Sequence, residues 1–375
     1  MKARFTLMMV AVLLLPLAVQ AAPKRVVLLF TGDNRGEIAP CGCKAEPQGG
    51  LARRKTALDA ERAAGLPVVL LDSGNALFRE PRRQEGALVQ QKAELLLEQM
   101  EAQGTAAMAV GERDLSHGLA WLQKATKGPK KKMKLLSANL VDKAGKAPFA
   151  ASTVLEAGGL KLGVVGVSPE GAIPGEPGLK GLPPIEAALA EARKLRQSKK
   201  VDVVVVLAAV PYQEAMKMGL LAKDAVDFVV QSHDLKGIGI GELVGSHTAV
   251  FPAGELGKQL TRLELSVDGP GPSVDLGVAT RARKQLRVVE DNLLKAHERL
   301  NSAKDEPTRG ELTRTIVELE GRLRQLESEL EVKPPAGGRA HQLSYLTLGE
   351  AVASDPTLKQ RVDKLEPVGI AGTAR

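Results

Sequence analysis

Aromatic side chains are nearly absent from this 375-residue chain, which has one Trp, two Tyr and six Phe. Leu, Val and Ala must therefore fill the core, and stacking platforms for bases are lacking. Basic residues outnumber acidic ones, for a formal charge of +8, but they are not interleaved with aromatics as nucleic-acid binding would favour. No nucleic-acid partner is expected. The two cysteines, Cys41 and Cys43, form no Cys-x-x-Cys-His motif, so any haem would have to sit on a partner. Beyond the first twenty residues no segment is apolar enough to span a bilayer.

The exception at the start has the order of a leader. Lys2 and Arg4 precede an apolar stretch from Phe5 to Val19, and Val19-Gln20-Ala21 offers small residues for cleavage. A signal peptide over 1–21 is expected, with an uncleaved anchor as the alternative. No lipobox cysteine stands at the cleavage point. The mature chain is expected to be periplasmic or secreted, with no membrane span after cleavage. There both cysteines would meet an oxidising compartment.

The chain is organised around the stretch that follows. Val26 to Phe30 is an apolar, branched run that predicts a buried strand. It leads into Thr31-Gly-Asp-Asn-Arg-Gly-Glu-Ile-Ala-Pro-Cys-Gly-Cys and then Gly49-Gly50-Leu51-Ala52-Arg53-Arg54. Open α/β sheets keep their ligand sites at such carboxyl ends of strands. A second buried strand, Leu66 to Leu71, ends in Asp72-Ser73-Gly74-Asn75, and a third, Ala106 to Val110, runs into Gly111-Glu112-Arg113-Asp114. Leu135-Leu136-Ser137-Ala138-Asn139-Leu140, the hairpin Gly159 to Val167, and the strands Val201 to Leu207 and Phe228 to Gln231 follow in order. The last leads to Ser232-His233-Asp234-Leu235.

In motif order and spacing these segments resemble the bacterial periplasmic 5′-nucleotidases, members of the calcineurin-like metallophosphoesterases. The resemblance covers about Val26 to Val267. It implies an α/β fold, a metallophosphoesterase-type β-sandwich flanked by helices, and a site for one or two divalent ions (Mn, Zn, Fe or Mg). At the family's positions the residues differ. The family's Asp-x-His is Asp33-Asn34-Arg35 here, and its bridging Asp is Asn75. Its ligand Asn is Glu112, and the His that helps protonate the leaving group is Arg113. Ala209 and Leu235 replace two further histidines, while Asp33 and His233 stand unchanged. Asp33, Asn75, Glu112 and His233 are thus the residual ligand set. No catalytic residue and no cofactor are expected on the main reading. The rival is an active metal-dependent phosphoesterase with a rearranged site.

Two histidines have become arginines, and a guanidinium pairs bidentately with a carboxylate or a phosphate. Arg35 and Arg113 therefore replace lost metal charge by pairing with Asp33 and with Glu112 or Asp114, or else they line an anion site. Cys41 and Cys43 are either a structural disulfide or unpaired thiols on one side, or a labile redox pair or soft-metal pair on the other. So small a loop would make any bond between them easily reduced.

From Thr280 the pattern changes. Leu286, Val289, Leu293, Ala296, Leu300 and Ala303 recur at three and four residues, and after Asp305-Glu306-Pro307 so do Leu312, Ile316, Leu319, Leu323, Leu326 and Leu330. The short breaker predicts a C-terminal antiparallel helical hairpin in coiled-coil spacing. The expected organisation is a phosphoesterase-like domain over 22–278, the hairpin over 279–332, and a linker with a short helical tail over 333–375. Of the histidines, His297 and His341 are expected outside the main domain, and His117 and His247 fall at no motif position. The expected role is that of a non-catalytic binding, scaffold or redox-partner protein. A protein partner would dock through the hairpin or the Cys41–Cys43 loop.

Overall fold

The computed structural model describes residues 24–41, 46–129, 131–233, 242–245, 247–333 and 336–366. The expected leader, Cys43 and Leu235 lie outside the described residues.

Strands β1 (Lys24–Thr31), β2 (Val68–Asp72), β3 (Thr105–Ala109) and β4 (Lys134–Leu136) lie side by side and parallel. A small sheet joins β5 (Leu140–Asp142), β8 (Gly171–Ala172) and β9 (Leu179–Gly181). The second large sheet opens with the hairpin of β6 (Ser152–Ala157) and β7 (Leu160–Val167). It continues through β10 (Val203–Ala208), β11 (Phe228–Gln231) and β13 (Thr248–Pro252), all parallel to β7, to the antiparallel edge strand β12 (Glu242–Val244). On the other side of β1 the first sheet adds β14 (Gln259–Val267), β16 (Arg339–Thr347) and β15 (Ser273–Asp275).

The two large sheets pack face to face, and alternation along each strand decides what is inside. Val26, Leu28 and Phe30 of β1 meet Val203, Val205 and Leu207 of β10 in the central layer. Val27 and Leu29 point the other way, onto Leu58 of helix α1 (Leu51–Ala63). Helices α2 (Ala87–Ala102), α3 (Leu119–Thr126) and α8 (Pro356–Leu365) cover the outside of the first sheet. Helices α4 (Pro184–Lys194) and α5 (Tyr212–Ala222) cover the second. The result is the helix-flanked β-sandwich that the motifs imply. Asn139 ties it together: its amide donates to the carbonyls of Ser168 and Leu182 and accepts from Ser168 N, each at 2.8 Å.

Helices α6 (Gly277–Ser302) and α7 (Glu306–Leu330) form the antiparallel hairpin, with Ala282, Ala296, Ile316 and Leu326 buried along its seam. Asp305 caps α7 by accepting from Thr308 N at 2.9 Å. Beyond each other, these helices touch the body chiefly where α6 meets β16. The segment after the hairpin corrects the expected linker and helical tail. Among its described residues the helix is α8, where Asp355 caps the first turn as Asp355-Pro356 signals. Before that, β16 returns between β14 and β15 and buries His341 and Leu343, so His341 belongs to the main body. Among the described residues no helix is long and apolar enough to cross a membrane.

Candidate functional site

The carboxyl ends of β1, β2, β3, β10 and β11 converge, and the loops leaving them carry Asp33, Asn75, Glu112 to Asp114, Ala209 and Ser232-His233. Three non-glycine residues here hold left-handed backbone: Asp33 (φ 47°), Arg35 (φ 52°) and Asn75 (φ 56°). Such conformations are disfavoured for side-chain-bearing residues and are kept only where the surroundings enforce them. Gly111 is required by close approach, because a Cβ there would stand 2.3 Å from Asn75 Oδ1.

Asp33 is fully buried and its two oxygens are both taken by Arg35. Arg35 Nε donates to Oδ1 at 2.8 Å and Nη2 to Oδ2 at 2.7 Å. Burial pushes the Asp33 carboxyl above its ordinary value, and the Arg35 hydrogen bonds pull against that shift. Arg35 Nη2 also approaches the carbonyl of His233 at 3.5 Å.

Asn75 spends its amide on the scaffold. Nδ2 donates to the Ser232 carbonyl at 2.8 Å, and Oδ1 accepts from Arg113 N at 3.2 Å. The first of these contacts needs a donor, which the family's Asp could not supply. Glu112 pairs with His233 across 3.6 Å, and that contact holds its carboxyl below the usual range against the effect of burial. Both side chains remain partly open to water. Ala209 is buried and contributes no ligand atom.

Arg113 is the correction among the expected pairs. Its guanidinium Nη1 donates to the Arg79 carbonyl at 2.6 Å, and it makes no ion pair with Glu112 or Asp114 among the described residues. Asp114 is instead held by backbone amides. Oδ1 accepts from Ala76 N and Leu77 N at 2.8 and 3.0 Å, and Oδ2 from Asn75 N and Gly111 N at 2.7 and 2.8 Å. Burial and the nearby Asp72 charge push this carboxyl up to about 7, while the amide donors pull it down. Asp72 accepts from Thr31 Oγ1 at 2.6 Å and Gly74 N at 2.8 Å. Nothing in the residue types announces the amide cradle of Asp114, since backbone donors leave no mark on the sequence.

The cysteine loop adjoins this site. Cys41 and Gln48 exchange backbone hydrogen bonds of 2.8 and 3.0 Å that close the loop at its base. Cys41 Sγ is 3.8 Å from the Leu256 carbonyl, and Leu256 N donates to the Asp33 carbonyl at 2.9 Å. One residue thus links Cys41 to Asp33.

A metal pair does not fit these residues. Asp33 has no free oxygen, Asn75 points its donor at a carbonyl, and Glu112 is engaged by His233. Among the described residues no three His, Cys, Asp or Glu side chains converge so as to hold a metal ion.

The overall arrangement has known counterparts. The structure of a 5′-nucleotidase precursor from Thermus thermophilus superposes over 91% of this chain with a TM-score of 0.62 and 21% identity. The chain has the fold of the calcineurin-like phosphoesterases and 5′-nucleotidases. A putative 5′-nucleotidase from Staphylococcus aureus (TM-score 0.54, 17% identity) matches 65% of this chain and 51% of its own. A calcineurin-like phosphoesterase from Bacillus subtilis (TM-score 0.53, 15% identity) matches 66% of this chain and 86% of its own. In sequence, an apyrase from Tabanus yao is 33% identical over 92 residues, which are 24% of this chain and 16% of the apyrase. No protein-family profile matches. The chain spans 58% of the Thermus protein, so its phosphoesterase fold is shared with only part of that molecule.

Proposed function

We propose that this protein is a catalytically degenerate member of the phosphoesterase fold, exported to an oxidising compartment, where it serves as a binding or scaffold protein with a redox-partner loop. The observation that carries the proposal is the bidentate closure of Arg35 on Asp33. In a two-metal hydrolase this carboxylate must face a cation and leave open positions for water and phosphate. Here a permanent guanidinium charge takes that place, and it cannot generate a hydroxide. The placement of Cys41 one residue away from Asp33, through Leu256, supports a role for the cysteine loop next to the same cleft.

A second reading, a phosphoesterase with a rearranged site, is favoured by one contact. Glu112 and His233 are both ligand-capable, partly exposed and 3.6 Å apart. The apyrase and nucleotidase likenesses give that reading its substrate class, nucleotides. One experiment separates the two. Mature protein purified without chelator is analysed for bound Mn, Zn, Fe and Mg, then assayed on nucleoside monophosphates and an aryl phosphate with each ion added. Degeneracy predicts sub-stoichiometric metal and no turnover above background. Two ions per chain, with turnover lost in Asp33→Ala, would reverse the assignment.

A further inference from the structure

Far along the chain from the motifs, Lys124, Lys127, Lys131, Lys132 and Lys134 fall within eleven positions that run from the end of α3 into β4. Lys124, Lys127, Lys132 and Lys134 are exposed and Lys131 is half-buried. Among the described residues none of the five side chains forms an ion pair or hydrogen bond, whereas lysines elsewhere, such as Lys55 and Lys359, do. Of the acids beside the group, Glu94 accepts from the Gln90 amide at 2.9 Å, and the other two are engaged as well. Glu98 is held by Arg361, and Glu101 accepts from the backbone amides of Lys132 and Met133. Two lysines could be explained locally, since Lys124 suits the carboxyl end of α3 and Lys134 guards the edge strand β4. Lys131 also lies within electrostatic reach of Glu98, while Lys127 and Lys132 have no such task.

Beside them lies Trp121, the only tryptophan in the chain. Its half-buried ring packs edge-on against Phe78 at 5.1 Å and lines a 350 Å³ depression together with Lys124, Lys131, Leu97 and Glu94.

We propose that this lysine patch with Trp121 is a peripheral docking surface for an anionic lipid bilayer. The charge type selects this partner. Lysine is a point charge on a flexible stem and lacks the planar fork that reads fixed carboxylate or nucleic-acid phosphate geometry. The guanidinium of Arg361 is spent on Glu98. An amphipathic indole beside snorkelling lysines matches the headgroup region, where one end is apolar and the other wet. The attachment is electrostatic and reversible, with no segment crossing the membrane.

Trp121, as the sole indole, reports from the patch itself. Vesicles of equimolar phosphatidylglycerol and phosphatidylcholine should shift its emission to the blue and protect it from iodide. Pure phosphatidylcholine vesicles should do neither. Molar salt, where the screening length falls to about 3 Å, should release the protein. Because each lysine near an anionic surface is worth about a fivefold change in partition, Lys131→Gln with Lys132→Gln should weaken binding about twenty-five-fold at unchanged circular dichroism. Lys124→Glu with Lys127→Glu should weaken it further. The proposal is overturned by an unmoved Trp121 in anionic vesicles, or by equal partition of the Gln variant. It is also overturned if polyglutamate shifts the fluorescence and vesicles do not, which would make this an acidic-protein surface.

Discussion

Arg35 turns back on Asp33 two residues earlier, and its Nε and Nη2 cover both carboxylate oxygens at 2.8 and 2.7 Å. The carboxylate is fully buried and the guanidinium about a quarter exposed, so the pair closes the bottom of the cleft like a plug. On the function proposed above, this guanidinium charge stands where the family resemblance implies metal charge.

Arg35→Ala should therefore destabilise the protein by about 3 kcal/mol, the low end for breaking a buried pair, because Arg35 is partly open to water. Burial already raises the Asp33 carboxyl, so the orphaned Asp33 will prefer to be protonated. A raised aspartate favours the folded state at low pH and is a liability as pH rises. The deficit should thus be larger at pH 8 than at pH 5. Arg113→Ala removes a donor to the Arg79 carbonyl and a favourable charge near Asp33 and Glu112 with which it makes no close pair, and should cost about 1 kcal/mol. Paired urea titrations of the two variants measure both; equal midpoints would show that Arg35 does not carry the charge balance.

Reversion toward the family pattern should fail one residue at a time. Arg35→His frees Asp33, yet Asn75 still aims its amide at Ser232 and Ala209 still offers no ligand. Only Arg35→His, Asn75→Asp and Ala209→His together restore adjacent donors, and this triple variant should bind Mn or Zn where the single ones do not. Isothermal titration with each ion decides the matter. Tight binding by the Arg35→His variant alone would mean that the remaining side chains rearrange more freely than their hydrogen bonds imply.

The parts of the structure legible in advance are those governed by short-range periodicity. Branched apolar runs mark β1, β10 and β11, and three–four spacing marks the hairpin seam through Leu286, Leu293, Leu319 and Leu326. Strand β16 escaped because Arg339-Ala-His-Gln-Leu-Ser-Tyr-Leu-Thr is only weakly alternating and carries a buried histidine. Its partners, moreover, lie across a hairpin of more than fifty residues in β14 and β15. At the cleft, the substitutions themselves are visible in the residue types. So is the pairing of Arg35 with Asp33, which left-handed backbone at both positions brings about, but the partner of Arg113 is not. Arg113 loses Asp114 to four backbone amides, a competitor that no residue type reveals.

The cysteine loop gives a chemical prediction. In protein prepared from the periplasm and alkylated without reductant, Cys41 and Cys43 should appear bonded to each other or to a partner thiol, and mild dithiothreitol should release them. A loop of this size gains little from closure in the unfolded chain, so the bond should be easily reduced. Mass spectrometry showing both cysteines fully alkylated in the native sample would remove the redox-partner component of the proposed function.

The last prediction concerns a buried acid that the motifs do not mark. Asp227 precedes β11 and is almost wholly buried. Arg339 Nη1 lies 3.0 Å from Oδ1, Arg196 Nη2 contacts Oδ2, and Val204 N donates to Oδ2 at 2.7 Å. His247 Nε2 stands 3.4 Å from Oδ1. Burial alone would raise this carboxyl, but His247, the two arginines and the backbone amide together hold it below its ordinary 3.8. A depressed aspartate contributes stability above its unfolded value, and that contribution fades as pH falls through the folded one. Asp227→Asn should then cost about 4 kcal/mol at pH 7, chiefly because it strands the buried Arg339 charge. Below the ordinary aspartate value near 3.8 the gap between variant and parent should narrow as the parent's carboxylate takes up its proton. Because Arg339 begins β16 and Asp227 immediately precedes β11, the same substitution also uncouples the strand that returns after the hairpin from the second sheet. Amide exchange should therefore quicken in β16 before it does in β1. A pH-independent difference between the two proteins, or protection in β16 equal to the parent's, would show that Asp227 is neither charged in the folded state nor the tie between these strands.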